Sequence, residues 1–220
     1  METNLSIVVP IRKNSQRVKN KNFRSFNKKN LLIYKIQKLK KLKNFDKIII
    51  NTDSEKAIKI AKKMNISYWR RDKHFASSNC SNSDFWKHIA ETTQSKYIMF
   101  TNCTSPMVKV STYQSIINKF TKIKKKYGSI NTVTPIKEFV YLNKRAINFN
   151  PSKAPKSQDI KNMFKLNFAV NIITREEMKR RKSVISKKPF FYELDEFEGF
   201  DIDSMYDFKM AEFLHKKTFK

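Results

Sequence analysis

Short, largely apolar runs recur along this chain, each followed by an amphipathic stretch. Leu5–Val9 is β-branched at its centre and meets a breaker at Pro10; 47–51 (KIIIN) and 97–100 (YIMF) are similar. Runs of this length bounded by breakers are the pattern of strands buried in a parallel sheet. Between them, Leu31, Leu32, Tyr34, Ile36, Leu39 and Leu42 fall at three- and four-residue steps with lysines on the outer face. Ala57, Ile58, Ile60, Ala61 and Met64 do the same, and Asp53 and Ser54 offer that helix its N-cap. Strand, helix, strand, helix at this rhythm predicts a doubly wound, Rossmann-like α/β domain with a mostly parallel sheet flanked by helices.

The pattern continues downstream. Ser67–Arg71 reads as a strand, and Ser81, Asn82 and Ser83 can cap a helix over Asp84–Thr93. A helix over Val110–Tyr127 stops at Gly128, and Ser129–Pro135 reads as a strand. Phe164–Ile173 is strand-like, Thr174 opens a helix, Phe190–Tyr192 is a short aromatic strand, and Met205–His215 is helical. Residues 137–163 break the rhythm: they hold Pro151, Pro155, Phe139, Tyr141 and Phe149 but no period. Irregular segments this long are uncommon in compact domains unless they have a task. With 220 residues, one domain carrying this insertion accounts for the chain.

The net charge of +28, from 47 Lys and Arg against 19 Asp and Glu, invites a nucleic-acid reading. The lysines are spread over nearly every segment, and neither a basic-aromatic cluster nor a nucleic-acid motif is present. With Gly only 2, the charge reads as a composition bias that favours anionic ligands, and no nucleic-acid partner is expected. Cys80 and Cys103 have no metal-ligand spacing, so a zinc site or disulfide framework is not expected and a reducing compartment fits. His74 and His88 stand alone and are expected to lie at the surface or pack rather than ligate; Cys103 lacks a nucleophile's partners and reads as a small filler. The N-terminus has no basic and apolar leader, and no apolar run approaches the roughly 20 residues of a membrane span. A cytoplasmic protein without a membrane partner is expected.

Two places carry chemistry. After Pro10 comes a cation-dense loop with Arg12, Lys13, Arg17, Lys19 and Lys21. A strand that feeds such a loop suits a polyphosphate, which backbone N–H groups and fixed cations can surround. Near the C-terminus, Asp201 and Asp203 sit two apart in an extended segment and project to one side. Such a pair fits Mg²⁺, which takes one or two carboxylates plus phosphate oxygens. The alternative is that Asp203 or Ser204 caps the following helix, with Asp207 near its N-terminal dipole.

Several of these stretches resemble cytidylyltransferases that activate acidic sugars, the CMP-sialic acid and CMP-Kdo synthetase group. Pro10, Arg12, Ser15, Lys21 and Asn22 match that group's first loop, although Lys13 and Asn14 replace its glycines. Asn tolerates the left-handed region better than most residues, so Asn14 can substitute. Residues 51–55 (NTDSE) match its S-T-D-S-E element. Arg70, Ala76 and Asp84 match the next, where Arg71 replaces a proline. Thr104-Ser105-Pro106 matches Q-P-T-S-P-L-R, with Asn102 for the Gln and Val108, beside Lys109, for the Arg. Asn167 matches N-G-x-x-Y, while Phe168 replaces the glycine and Asn171 the aromatic, which argues for a changed sugar pocket. The segment from Asp201 to Glu212 matches D-I-D-T-x-x-D-x-x-x-A-E.

The resemblance implies transfer of CMP from CTP to an acidic 2-keto sugar, with pyrophosphate leaving. It implies nucleotide contacts at Arg12, Ser15, Arg17, Lys21, Asn22, Arg70 and Ser83, and sugar contacts at Asn102, Thr104, Ser105, Gln158 and Asn167. It further implies catalysis by Arg12, Lys21, Asp201 and Asp203, with Mg²⁺ on the two aspartates. The arm at 137–163 would form a homodimer and complete the partner's sugar pocket. CMP-Kdo synthesis, or activation of another acid such as legionaminic or pseudaminic acid, is the alternative. A basic nucleic-acid-binding protein and an inactive nucleotide-binding homologue are the further ones.

Overall fold

The computed structural model describes residues 4–218. In chain order, β1 (Leu5–Ile11) is followed by a small hairpin of β2 (Ser25–Phe26) and β3 (Lys29–Asn30), then α1 (Leu31–Leu39). Next come β4 (Lys47–Thr52), α2 (Glu55–Lys63), β5 (Ser67–Arg70), the single turn α3 (Lys73–Ala76) and α4 (Asn82–Thr92). They are followed by β6 (Tyr97–Phe100), α5 (Val110–Ile123) and β7 (Ser129–Pro135). A second hairpin, β8 (Tyr141–Leu142) and β9 (Arg145–Ala146), precedes β10 (Phe164–Thr174), α6 (Arg175–Arg181), β11 (Pro189–Glu193) and α7 (Met205–Thr218).

Seven strands form one sheet in the order β11-β7-β10-β6-β1-β4-β5. The pairs β1–β4, β1–β6, β4–β5 and β7–β11 are parallel, and β10 is antiparallel to both its neighbours. The doubly wound α/β expectation therefore holds, with one strand reversed. Period-two alternation divides the core. Ile7, Val9 and Ile11 face α1, α2, α5 and α7, while Val8 faces α4 and α6 with Ile98, Ile173, Ile89 and Met178.

Pro10 does not end the first strand. It pairs with Asn51 of β4, but the pairing with β6 ends at Val8–Phe100, so its missing N–H faces no ladder on that side. Ser54 alone caps α2, accepting from the Ala57 N–H; Asp53 turns instead to the loop after β1. The insertion 137–163 holds the β8–β9 hairpin and two 3₁₀ turns. No helix among the described residues is long and apolar enough to cross a membrane.

Candidate active site

From β1 the chain winds to β4 and β5 on one side, while β6 lies on the other. In open α/β sheets ligands bind where the winding reverses, beyond the carboxyl ends of the strands. The loops after β1, β5 and β6 meet there around a cleft of about 360 Å³. Arg12, Arg17, Lys21 and Arg71 give it four cations; Asn22, Asn82 and Asn102 add amides; Asp201 and Asp203 close one end.

The first loop is held without glycine. The Lys13 N–H donates to Asp53 Oδ1 at 2.7 Å, tying the loop to the β4–α2 corner. Asn14, expected in the left-handed region, is not there. The residue with positive φ is Asn20 (φ 57°), just before the 3₁₀ turn Lys21–Phe23. That turn buries Lys21 and Asn22, and Lys21 Nζ donates to the Ile202 carbonyl. Burial pulls the Lys21 ammonium below the usual lysine range, and Asp201 and Asp203 partly offset this.

Arg71 is the cation that sequence reading missed. It is buried, lies over the Phe85 ring at 4.4 Å, and donates from Nε and Nη2 to the Asn51 side chain and carbonyl. Burial lowers its guanidinium to about 10.

A second cleft, of about 640 Å³, opens between β7, β10 and the segment before α7, and it shares Asp201 and Asp203 with the first. Its wall includes Asn167, Lys165, Leu166, Phe168 and Phe200. The two carboxylates thus stand where a cationic cleft and a mixed polar and apolar cleft meet. Neither caps α7. The Ser204 Oγ accepts from the Asp207 N–H, and Asp207 Oδ2 accepts from the Ser204 N–H, a reciprocal capping box. Asp203 instead pairs with Arg17 at 2.7 Å and stands 3.9 Å from Lys21. Burial pushes the Asp201 carboxyl up, with the Thr104 hydroxyl bond acting against it. Its Oδ1 is buried with no hydrogen-bond partner among the described residues.

The profile of a family described as Cytidylyltransferase matches residues 6–219. The chain belongs to the cytidylyltransferase family. The flagellin modification protein B of Campylobacter coli is 28% identical over 92% of this chain and 91% of that protein. The CMP-N,N'-diacetyllegionaminic acid synthase of Campylobacter jejuni is 27% identical over 91% and 90%. An Escherichia coli N-acylneuraminate cytidylyltransferase is 25% identical over 99% of this chain and 53% of its own length. Among solved structures, CMP:2-keto-3-deoxy-manno-octonic acid synthetase complexed with CTP shares the fold, with TM-score 0.71, 12% identity and coverage of 97% and 98%.

In this cytidylyltransferase, α1 holds the loop after β6 from behind. Lys35, wholly buried, donates from Nζ to Thr101 Oγ1 (3.3 Å), the Ser105 carbonyl (3.2 Å) and the Tyr113 hydroxyl (2.5 Å). One turn on, Lys38 donates to the Pro106 and Val108 carbonyls. The loop so fixed carries Asn102 and Thr104 into the first cleft, and the Thr104 carbonyl accepts from the Ile202 N–H beside Asp201.

Several residues named from the sequence lie elsewhere. Arg70 is exposed on the edge strand β5 and pairs with Glu55, because alternation along the strand points it away from its neighbour Arg71. Ser83 lies within the exposed first turn of α4, and Asn82 lines the cleft in its stead. Ser15 lines neither cleft, and Ser105 is buried under the loop. Gln158 is exposed on a 3₁₀ turn, its carbonyl accepting from Lys137. Val108 is core, and Lys109 pairs with Glu198. Asn171 is buried, its Oδ1 accepting a hydrogen bond from Asn131 Nδ2, so of the two departures in β10 only Phe168 reaches the second cleft. Cys103 and His88 do pack as expected, the latter stacked on Phe75 at 3.9 Å.

Gly199 supplies a test of the second cleft. A Cβ there would sit 2.3 Å from Thr134 Oγ1 and 3.0 Å from Asn167 Nδ2. Gly199→Ala is expected to lower stability by about 1–3 kcal/mol through overpacking. It should also displace the Asn167 amide and so raise the KM of the substrate that this cleft binds more than that of the other substrate. Equal effects on both KM values would show that the distortion is not local to this cleft.

Proposed function

We propose that the enzyme transfers CMP from CTP to the anomeric hydroxyl of an acidic 2-keto sugar and releases pyrophosphate. The observation that carries the reading is the meeting of two clefts on one carboxylate pair. A triphosphate in the cationic cleft and a sugar in the other would bring donor and acceptor together at Asp201 and Asp203. The names of the relatives support a sialic acid-like or legionaminic acid-like acceptor.

Arg12, Arg17 and Lys21 would bind the triphosphate and neutralise charge as pyrophosphate leaves in line, chemistry that rests on positioning and electrostatics. Arg71 lines the cationic cleft and its Nη1 has no hydrogen-bond partner among the described residues, so it replaces Arg70 as the proposed nucleotide contact. Asn22, Asn82, Asn102 and Thr104 would orient the nucleotide and the acceptor from the same wall. Asp201 and Asp203 suit Mg²⁺: one has a buried oxygen without a partner and the other a half-exposed carboxylate, and phosphate oxygens would complete the ligand set. When bound, that ion would offset phosphate charge and lower the pKa of a coordinated hydroxyl. Lys13 and Asn14, which stand in place of the first loop's glycines, lie outside the left-handed region and so carry no backbone strain of that kind.

Pyrophosphate release from each nucleoside triphosphate across a panel of 2-keto sugar acids tests the assignment. CTP with an N-acylated nine-carbon acid is the expected pair; equal turnover with UTP would count against the nucleotide choice.

The arm is proposed to form a homodimer. Phe139, Tyr141, Leu142 and Ile147 are between 43% and 61% exposed around the β8–β9 hairpin, an apolar surface for a second copy. Sedimentation at micromolar concentration should show a dimer, and the double change Tyr141→Ser, Leu142→Ser a monomer. A monomeric parent protein would end this part of the proposal.

A further inference from the structure

Between the pairs Leu166–Val133 and Asn171–Asn131, the four residues 167–170 of β10 lie opposite Thr132 of β7. The bulge is pinned from both sides. Thr132 Oγ1 accepts from the Val170 N–H and donates to Asn167 Oδ1 at 2.6 Å; Thr101 Oγ1 donates to the Ala169 carbonyl at 2.7 Å. Asn167 Oδ1 also accepts from the Ala169 N–H, closing a turn over Phe168. Phe168 is thereby held at φ 52°, a conformation that a bulky residue rarely takes. Strain of this kind persists only where its surroundings over-determine it, and it gathers at functional sites.

The held ring stacks on Trp86 of α4, with centroids 6.2 Å apart and planes 24° apart, and the residue lines the second cleft. Leu166 and Phe200 are the other large apolar residues of a lining that is otherwise polar and charged, with Glu138, Lys165 and Glu196 beside the aspartates. Acceptor hydroxyls set against these three apolar residues would lose water without a hydrogen-bond partner there. An acceptor with an apolar substituent gains by covering them.

We infer that Phe168 determines acceptor specificity, selecting 2-keto sugar acids that carry N-acyl or deoxy (methyl) substituents over fully hydroxylated ones. The inference rests on the sugar-activating function proposed above. It is a binding role for the wall of the acceptor cleft and leaves the reacting groups at the carboxylate pair.

The test measures kcat/KM for pyrophosphate release from CTP with two acceptors, N,N'-diacetyllegionaminic acid and 2-keto-3-deoxy-manno-octonic acid, in the parent protein, Phe168→Gly and Phe168→Leu. Glycine takes φ 52° without strain, which offsets part of the packing lost with the ring, and melting curves establish that each variant is folded. The parent should favour the acylated acceptor, and Phe168→Gly should reduce the ratio about tenfold or more, as loss of an apolar pocket contact does. Phe168→Leu, which restores an apolar side chain, should recover part of the ratio. An equal ratio in the parent and Phe168→Gly, with turnover intact, would overturn the specificity role alone. Absence of pyrophosphate release from every protein with both acceptors would overturn the sugar-activating reading, and this inference with it.

Discussion

Replacing Asp201 by Asn is expected to abolish most turnover and, in the same protein, to raise the melting temperature. The two effects have one origin. Asp201 Oδ1 is buried without a hydrogen-bond partner among the described residues, and burial pushes its carboxyl up. A buried carboxylate with one oxygen left without a partner lowers stability, so a neutral isostere should restore on the order of 1 kcal/mol in the presence of a chelator. Turnover should fall more than about a hundredfold, because loss of a carboxylate from the proposed Mg²⁺ site would remove several kcal/mol of charge stabilisation. Rates with Mg²⁺ and melting curves with a chelator, both at neutral pH, supply the comparison. The capping box of Ser204 and Asp207 makes the contrast sharp: Ser204→Ala should lower the melting temperature and leave most turnover. A fully active Asp201→Asn protein would remove the aspartate from the catalytic machinery.

Lys35→Met is expected to slow turnover and to flatten the dependence of stability on pH. Burial lowers the Lys35 ammonium from the ordinary 10.5 to about 8. Between those values the unfolded chain holds a proton that the folded chain has released. The native protein should therefore carry the full penalty below pH 8 and gain stability as pH rises from about 8 to 10.5. The shift amounts to on the order of 3 kcal/mol for this group. Lys38, lowered to about 7 by burial and by Lys35, begins the same rise at lower pH and keeps part of it in the variant. In Lys35→Met the Lys35 share should vanish. The variant also frees Thr101, Ser105 and Tyr113 from their shared donor. Asn102 and Thr104 ride on that loop, and a misplacement of about 1 Å can cost a hundredfold in rate. Chemical denaturation at a series of pH values, beside steady-state kinetics, checks both parts. Unchanged kinetics together with the lost pH dependence would confine Lys35 to a structural role.

Much of the sheet was legible because buried parallel strands leave short apolar runs. Ser129–Pro135 and Tyr97–Phe100 keep the bounds their composition suggests. The loop cations and the aspartate pair were legible because phosphate and metal chemistry restrict residue types. What escaped depends on direction rather than type. Arg70 and Arg71 are chemically alike, and only the pleat decides which one enters the cleft. Lys35 looked like one more solvated lysine on a helix, since nothing local marks it as meeting Thr101, 66 residues away. Phe168 stood out as a departure from a motif, but its placement needed the bulge, whose register is set by Thr132 on a neighbouring strand.

The left-handed turns of this fold have another consequence. Asn20, Asn27, Asn44, Asn65, Asn143 and Asn162 all have positive φ, and neither of the two glycines does. Asparagine tolerates that region, and it leaves the unfolded chain fewer conformations to lose than glycine would. Glycine codons begin with two guanines, whereas those of asparagine and lysine begin with two adenines. A gene drifting toward adenine can therefore rewrite these turns while the backbone stays where it was. On that view the asparagine turns and the surplus of positive charge have one origin in codon composition.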